Sequence, residues 1–450
     1  MVNSSDKEIV LFTEDYKEDS RRLHDSLCRA GLLGQTYVTD GDGFLPEGVM
    51  SVYDYFLGDY SKKKDCPQRP LFFNEVTVPD FWDIAGTGSN AIIHDETRER
   101  GKIFYTSDSH KRLVRIVDWY DDTKTVRFSD HYNRFGAIFA RTVFDGKGKK
   151  VNKTYFSPDG CPVIEENFVT KDILLNEDGK TRIFHSKTEF VMYFAKRTGL
   201  AQKRVFYNTL STPFLVSERL AKTEGSDILF WQEKKRPDIP GNMKLILNRT
   251  SARTRKIYVQ DMEAYQQLLS LGASEKVLSP LGFIYPYERK TAHRKQVLIC
   301  TNSDHIEHLK ELVSDFPELT FHIAAVTEMS SKLMSVGAFE NVRLYPNVRP
   351  KLQDKLFCEC DIYLDANYGA EILNAGYRAF LNNQLIFAFS ETVHQRTYIP
   401  KEHLFAAAAY DKLKESLQKA VSDESIWENE LSRQRCLAMS EDEKTYQEIV

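Results

Sequence analysis

No stretch of this chain approaches the roughly 18 uninterrupted apolar residues that a membrane-spanning helix requires, and residues 1–10 are polar ahead of the first apolar run. The expected setting is the cytoplasm, with peripheral contact at the cytoplasmic face of the membrane left open. A basic excess is also missing: 61 Lys and Arg stand against 65 Asp and Glu, a formal net charge of −4. That balance argues against a general nucleic-acid binder, whose phosphate contacts demand cations. Local basic clusters at Lys62-Lys63-Lys64, from Lys147 to Lys153 and at Lys234-Lys235-Arg236 read as solvated loops or local anion contacts. Cysteine is sparse and unpatterned. Cys28, Cys66, Cys161, Cys300, Cys358, Cys360 and Cys436 are odd in number and spread over the whole length, which fits reduced thiols. Zinc-type spacing is absent, since Cys358 and Cys360 have no second Cys or His pair nearby. No metal and no cofactor is expected. Ser211 in "FYNTLSTPF" lacks a nucleophile elbow, and His305, His308, His322 and His394 are scattered as structural histidines usually are. Repeats and low-complexity segments are lacking as well.

What is present is enough length, 450 residues at 42% hydrophobic, for two or three domains with their own cores. From about residue 290, short apolar runs alternate with helical stretches, the pattern of βα units and a mainly parallel sheet. Strands are expected at 296–301, 319–326, 342–348, 361–365 and 385–389, and helices near 305–314, 329–336, 351–360 and 371–382. The N-terminus shows the theme once, with the strand "EIVLF", a helix stopped by Gly31, and the strand "TYVTD". It resumes after residue 200 with "KRVFYNT", "SDILFWQE", "KIYVQ" and their helices.

Between these halves the sequence alternates aromatic or branched residues with charges, as in "RLVRIVDWY" and "GAIFARTVF", which predicts an antiparallel meander. Asp145-Gly146, Asp159-Gly160 and Asp178-Gly179 read as hairpin turns, with Gly supplying a positive φ. The expected organisation is a first Rossmann-like domain split over 1–64 and 196–288, an inserted β-sheet domain at 65–195, a second Rossmann-like domain at 289–410, and C-terminal helices at 411–450 packing back on the body.

The stretch "DIYLDANYGAEILNAGYRAFLNNQLIFAF", residues 361–389, has the outline of a nucleotide-sugar site: strand, loop with Gly369, helix, strand. Two Rossmann-like domains facing a cleft, with such a segment in the second, resemble the GT-B glycosyltransferases, and in particular retaining members with a Glu-x7-Glu motif. In that family the first Glu lies by the donor sugar and the second binds the ribose diol. Matching on "LIFAF" puts these positions at Ala370 and Arg378; a shift of one recovers the first as Glu371, and no shift yields both. Arg378 has only donors, whereas a ribose diol wants an acceptor. Many of these enzymes also neutralise the diphosphate with an Arg and a Lys after the first strand of the domain. Here those places hold Asn302 and Glu307, and a carboxylate beside a diphosphate repels it. Helical periodicity sets Glu371, Asn374 and Arg378 on one polar face, so Arg378 is expected to pair with Asn374 or an acidic neighbour.

The strings "DGFLPEGVMSVYDYFLGDY", "RPLFFNEVTVPDFWDI", "TYFSPDG" with "ENFVTKDILL", and "FYNTLSTPFLVS" resemble the accessory-secretion glycosyltransferase-stabilising proteins, the GtfB family, over essentially the whole chain. The resemblance implies a non-catalytic GT-B subunit paired with a catalytic subunit, GtfA. That partner uses UDP-N-acetylglucosamine to modify Ser and Thr of a serine-rich repeat adhesin polypeptide before export. The resemblance further implies that the inserted β domains mediate pairing and that the acceptor polypeptide lies in the cleft. Phe72, Phe73, Phe81 and Trp82 are candidates for gripping that acceptor, against the alternative that they pack a hinge or core. The first rival reading is an active retaining UDP-sugar transferase in which Glu371 serves as a variant first carboxylate; the others are a nucleotide-sugar epimerase, for which no acid/base pair is found, and a partner-stabilising scaffold that never touches the adhesin.

Overall fold

In a computed structural model, residues 8–107, 111–220 and 227–450 are described. The chain forms two units, residues 1–281 with 446–450 and residues 282–445.

The first unit contains a seven-stranded, wholly parallel sheet. Its order is Leu278–Pro280, Thr254–Val259, Asp227–Trp231, Arg204–Tyr207, Ile9–Thr13, Gln35–Val38, Val49–Ser51. Ile9–Thr13, Arg204–Tyr207 and Asp227–Trp231 are buried at every residue, the pattern of a sheet covered on both faces. Asp227 is a fully buried carboxylate inside this core. Its carboxylate accepts two hydrogen bonds from Arg253, at 2.7 and 2.9 Å, one from the Ser217 hydroxyl at 2.7 Å and one from the Val205 N–H at 2.9 Å. Such complete pairing is what makes a buried charge tolerable.

Between residues 82 and 184 the same unit carries ten antiparallel strands in strict sequence order, from Trp82–Gly86 to Lys180–Phe184. Asp178 and Gly179 both have positive φ, +51° and +71°, the geometry of a two-residue type I′ turn. Gly160 has φ +80°. At 145–149 the expectation is corrected: the positive φ belongs to Gly148 (+75°), not Gly146. There the Asp145 carboxylate accepts the Lys147 and Lys149 N–H groups, each at 2.8 Å, and moves the tight position two residues on. Phe139, Tyr155, Ile164 and Leu175 of this sheet share a core with Phe190 and Phe194 of helix Lys187–Arg197 and with the parallel sheet. Ile93, Ile103 and Val117 form a second core under Leu71 and Val76.

The second unit is a six-stranded parallel sheet ordered Val342–Tyr345, Thr320–Ala325, Gln296–Thr301, Ile362–Asp365, Leu385–Phe389, Leu404–Phe405. Helices Tyr410–Ser422 and Glu424–Leu437 cover it through Leu413, Leu417, Trp427 and Leu431. Two helices start later than periodicity predicts. The one expected from 305 begins at Leu309, after His308 at φ +49°. The one expected from 371 spans Ala375–Leu381, after Leu373 and Asn374 at φ +62° and +50°. Both lost turns border the same crevice.

Candidate functional site

The strand Gln296–Thr301 lies between Thr320–Ala325 on one side and Ile362–Asp365 on the other, so the strand order reverses there. Open parallel sheets bind ligands at such a switch point, beyond the carboxyl ends of the strands. Those ends carry residues 301–303 and 365–369.

The two loops are bonded to one another. The Glu307 N–H donates to the Ala366 carbonyl at 2.8 Å, and the Tyr368 N–H to the His305 carbonyl at 3.1 Å. Asn367 donates through Nδ2 to Asn302 Oδ1 at 3.2 Å, while its Oδ1 accepts the Thr301 hydroxyl at 2.9 Å and the Gly369 N–H at 3.0 Å. The Tyr368 hydroxyl donates to the Glu307 carboxylate, and its ring stacks on His305 with centroids 4.1 Å apart. Close approach requires Gly369, because a Cβ there would stand 1.9 Å from Asn302 Oδ1. A cavity of about 230 Å³ lies between the loops that follow strands Gln296–Thr301 and Thr320–Ala325, lined by residues 301–304 and by Thr327, Glu328 and Met329 rather than by the 365–371 loop; it is smaller than the roughly 300–1,000 Å³ typical of ligand sites.

The structure places the remaining donor-site positions as follows. Ala370 contributes only its carbonyl, to Asn367 at 3.4 Å. Glu371 accepts the Gly376 N–H at 3.1 Å, and its two oxygens accept from Gln395 Nε2 at 2.9 and 2.8 Å. A carboxylate thus occupies an amide at the start of helix Ala375–Leu381, where an anionic ligand would seek such groups. Arg378 turns to the neighbouring helix Pro350–Glu359, donating to Asp354 at 2.6 Å and lying 4.1 Å over the Phe357 ring. Its acidic partner comes from that helix rather than from its own polar face. Asn302, Glu307, Ala370 and Glu371 are therefore gathered around one crevice, and Arg378 is directed elsewhere.

Sequence reasoning missed the group that holds this crevice shut. His394 reaches Asp365 Oδ1 through Nδ1 at 2.7 Å and the Gly369 carbonyl through Nε2 at 2.8 Å, and its backbone N–H donates to Asp365 Oδ2 at 2.8 Å. The Asp365 hydrogen bond, and then the Gly369 one, push its pKa up to about 9 against the opposing effect of burial. An imidazolium donates from both nitrogens, so the positive charge in the crevice is spent on the chain itself. No local signal marks this pair, since 29 residues separate its members.

The aromatic candidates divide. Phe73 packs beneath Gly86, where a Cβ would meet its ring at 2.6 Å, and near Tyr105. Phe72 lies against Phe73 with centroids 4.8 Å apart. Phe81 is 99% exposed at φ +69°, and Trp82 is half-buried in the first strand of the antiparallel sheet. Phe73 and Trp82 both pack against the core of Ile93, Ile103 and Val117. Ser211 donates its hydroxyl to Glu14. In the basic clusters Lys62 meets Asp59 at 3.2 Å, Lys234 meets Asp261 at 2.8 Å and Arg236 meets Glu233 at 2.6 Å. Among the described residues no group of three or more His, Cys, Asp or Glu could hold a metal, and no helix is long and apolar enough to cross a membrane.

Comparison with known proteins places this geometry in context. Family models match in succession along the chain: the GtfB N-terminal domain over residues 9–56, the GtfB middle domain over 82–185, the GtfB third domain over 187–271, and the GftB/GlyA-F C-terminal domain over 297–434. A protein of Streptococcus gordonii is 42% identical over 409 residues, 90% of each chain, and one of Streptococcus agalactiae is 41% identical over 444 residues, 98% of each. Both are named UDP-N-acetylglucosamine–peptide N-acetylglucosaminyltransferase stabilizing protein GtfB. Among solved structures, a chain of a GtfA/B complex bound to UDP and GlcNAc matches with a TM-score of 0.89 at 40% identity, covering 98% of this chain and 99% of that one. The pneumococcal O-GlcNAc transferase GtfA shares the fold, a GT-B glycosyltransferase fold, at a TM-score of 0.50 and 14% identity. With relatives above 40% identity spanning nine-tenths or more of its length, this chain belongs to the GtfB family of glycosyltransferase-stabilising proteins.

Proposed function

We propose that this protein is a non-catalytic subunit that keeps a partner N-acetylglucosaminyltransferase of the GtfA kind soluble and active. It also holds the Ser- and Thr-rich polypeptide which that partner modifies, a serine-rich repeat adhesin awaiting export, and it works in the cytoplasm. The partner role is supported by full-length relatives named as stabilising proteins and by the match to a chain of a GtfA/B complex.

The observation that carries the non-catalytic reading is the self-occupied donor crevice. Glu371 is bonded through both oxygens to Gln395 and sits on the Gly376 N–H. Glu307 and Asn302 stand where the resemblance calls for cations, and His394 spends its charge on Asp365. A diphosphate entering here would meet carboxylates instead of counter-charges. Acceptor holding follows from the chemistry of an extended polypeptide, which needs backbone hydrogen bonds and side-chain pockets rather than a nucleotide clamp. A subunit that holds many acceptor residues near its partner raises their local concentration.

Reconstitution tests this reading. The partner alone, this chain alone, and the two together are supplied with UDP-N-acetylglucosamine and a Ser/Thr-rich polypeptide. Transfer is expected to be strongest with both and absent with this chain alone, and the immobilised chain retains the polypeptide. Transfer by the chain alone, abolished by Glu371→Gln, would establish the active-enzyme reading instead. Rescue of the partner without retention of the polypeptide would reduce the role to scaffolding.

A further inference from the structure

The string "DGFLPEGVMSVYDYFLGDY", residues 42–60, builds most of the wall of a cavity of about 510 Å³ in the first unit, within the range of small-molecule sites. Residues 133–135 and Phe139 close it, from the connection between strands Val126–Tyr132 and Ile138–Phe144 and the start of the second. The two walls are pinned together. The Arg134 N–H donates to the Gly43 carbonyl at 2.8 Å, and Arg134 Nη1 donates to the Leu45 carbonyl at 3.2 Å. Gly43, at φ +86°, permits this approach, because a Cβ there would stand 2.7 Å from the Phe139 ring. At the other end Gln35 Nε2 donates to the Gly48 carbonyl at 3.0 Å.

Leu45, Met50, Tyr55, Tyr60, Phe135 and Phe139 make the lining largely aromatic and apolar. Asp54, the first residue of the short helix Asp54–Leu57, joins them with a carboxylate. One of its oxygens accepts the Ser51 N–H at 3.3 Å, and among the described residues no cation pairs with it. Arg134 is the one cationic side chain of the lining, and it is turned away to the Leu45 carbonyl and the Phe135 ring, 5.0 Å from its centroid. Burial raises the Asp54 pKa above its ordinary value; the bonds to Ser51 oppose this, and Asp42 adds to the rise. Glu47 and Asp59 line the same cavity, so three carboxylates face one guanidinium that is already engaged.

From this arrangement we infer a binding site for an organic cation, an alkylammonium or guanidinium group on an aliphatic stem. Asp54 gains the counter-charge it lacks through a charge-assisted hydrogen bond, and aromatic rings attract a cation desolvated beside them. Anionic ligands meet Asp54, Glu47 and Asp59 and are repelled. A neutral ligand of the same shape leaves Asp54 unpaired, which is costly for a desolvated charge. Such a cation is carried either by a Lys or Arg side chain of another protein or by a free polyamine. The first source rests on the partner and polypeptide contacts proposed above, whereas binding of the cation itself does not.

Ligand-observed NMR titration of the purified full chain at pH 7.5 provides the test, with pentylammonium as probe and 1-pentanol as its neutral counterpart. Pentylammonium is expected to bind saturably with Kd on the order of 1 mM, and pentanol roughly tenfold more weakly. Asp54→Asn keeps an acceptor for the Ser51 N–H but removes the charge, so it should weaken pentylammonium roughly tenfold and leave pentanol unchanged. Met50→Trp is the second variant: Met50 lines the cavity and is 38% exposed, so filling the space there abolishes binding of both probes without touching Asp54. Spermidine and an end-blocked lysine peptide, titrated in parallel, separate the two sources. Tighter binding of the peptide assigns the site to a protein side chain, and tighter binding of spermidine assigns it to a free polyamine. Equal affinity for pentanol, pentylammonium binding unchanged in Asp54→Asn, or binding that survives Met50→Trp would overturn the assignment; the second outcome would leave Asp54 as a residue that only closes the 51–54 turn. None of these outcomes bears on the partner-stabilising role, because no transferase is present.

Discussion

The carboxylate of Glu371 accepts the backbone N–H of Gly376 at 3.1 Å, across the two left-handed residues Leu373 and Asn374. The chain's own anion thereby takes the place at the head of a short helix that a donor diphosphate would need. Replacing Glu371 with Ala should cost about 1–3 kcal/mol, because the Gly376 N–H and the Gln395 amide lose their acceptor. Chemical denaturation of the variant measures this. A large loss of partner activation with unchanged stability would show that Glu371 acts on a ligand instead.

His394 gives the second unit a pH dependence of known sign. Its folded pKa is raised to about 9, above an unfolded value near 6.5. The stabilisation is therefore fully present below about pH 6.5 and is lost as pH rises through 9, by roughly 1–3 kcal/mol. Denaturation curves from pH 6 to 10 should show this decline in the parent chain, and His394→Asn should flatten it.

Asp227 and Arg253 form an ion pair with both side chains 0% exposed. Asp227→Asn leaves a buried guanidinium without its counter-charge and should cost about 3–5 kcal/mol, whereas Arg378→Ala, which removes a contact to the exposed Asp354, should cost at most about 1 kcal/mol. Thermal unfolding of the two variants side by side checks the contrast. A severe effect of Arg378→Ala on partner activation at normal stability would indicate a ligand role for that residue.

At the 145–149 turn, Gly148→Ala should destabilise by about 1 kcal/mol and Gly146→Ala should be nearly silent. Only Gly148 has a positive φ, the conformation in which a Cβ is costly.

Parallel and antiparallel segments were legible because they obey different periods. Continuous apolar runs such as "IVLFT" and "DILFW" mark strands buried on two faces, and the alternation of residues 114–144 marks a meander. Helix starts near the crevice were not legible. Periodicity favours helix from 305 and 371, but bonds between Glu307 and Ala366 and between Tyr368 and His305 pull the first segment into pairing, while in the second Glu371 bonds Gln395 and Leu373 and Asn374 turn left-handed; tertiary contact overrides local propensity. The donor positions at Asn302, Glu307, Ala370 and Arg378 could be read as departures from a motif, since that needs only spacing. What fills their place could not, because His394 and Gln395 reach the crevice from beyond the next strand.

The most direct measurement is equilibrium dialysis of the purified chain, without partner, against labelled UDP-N-acetylglucosamine. A crevice held by Glu371, His394 and the Asn302–Asn367 contact should leave binding weaker than about 1 mM, or roughly −4 kcal/mol. Micromolar binding, weakened by Glu371→Gln, would contradict the account and make the chain a sugar-nucleotide-using enzyme.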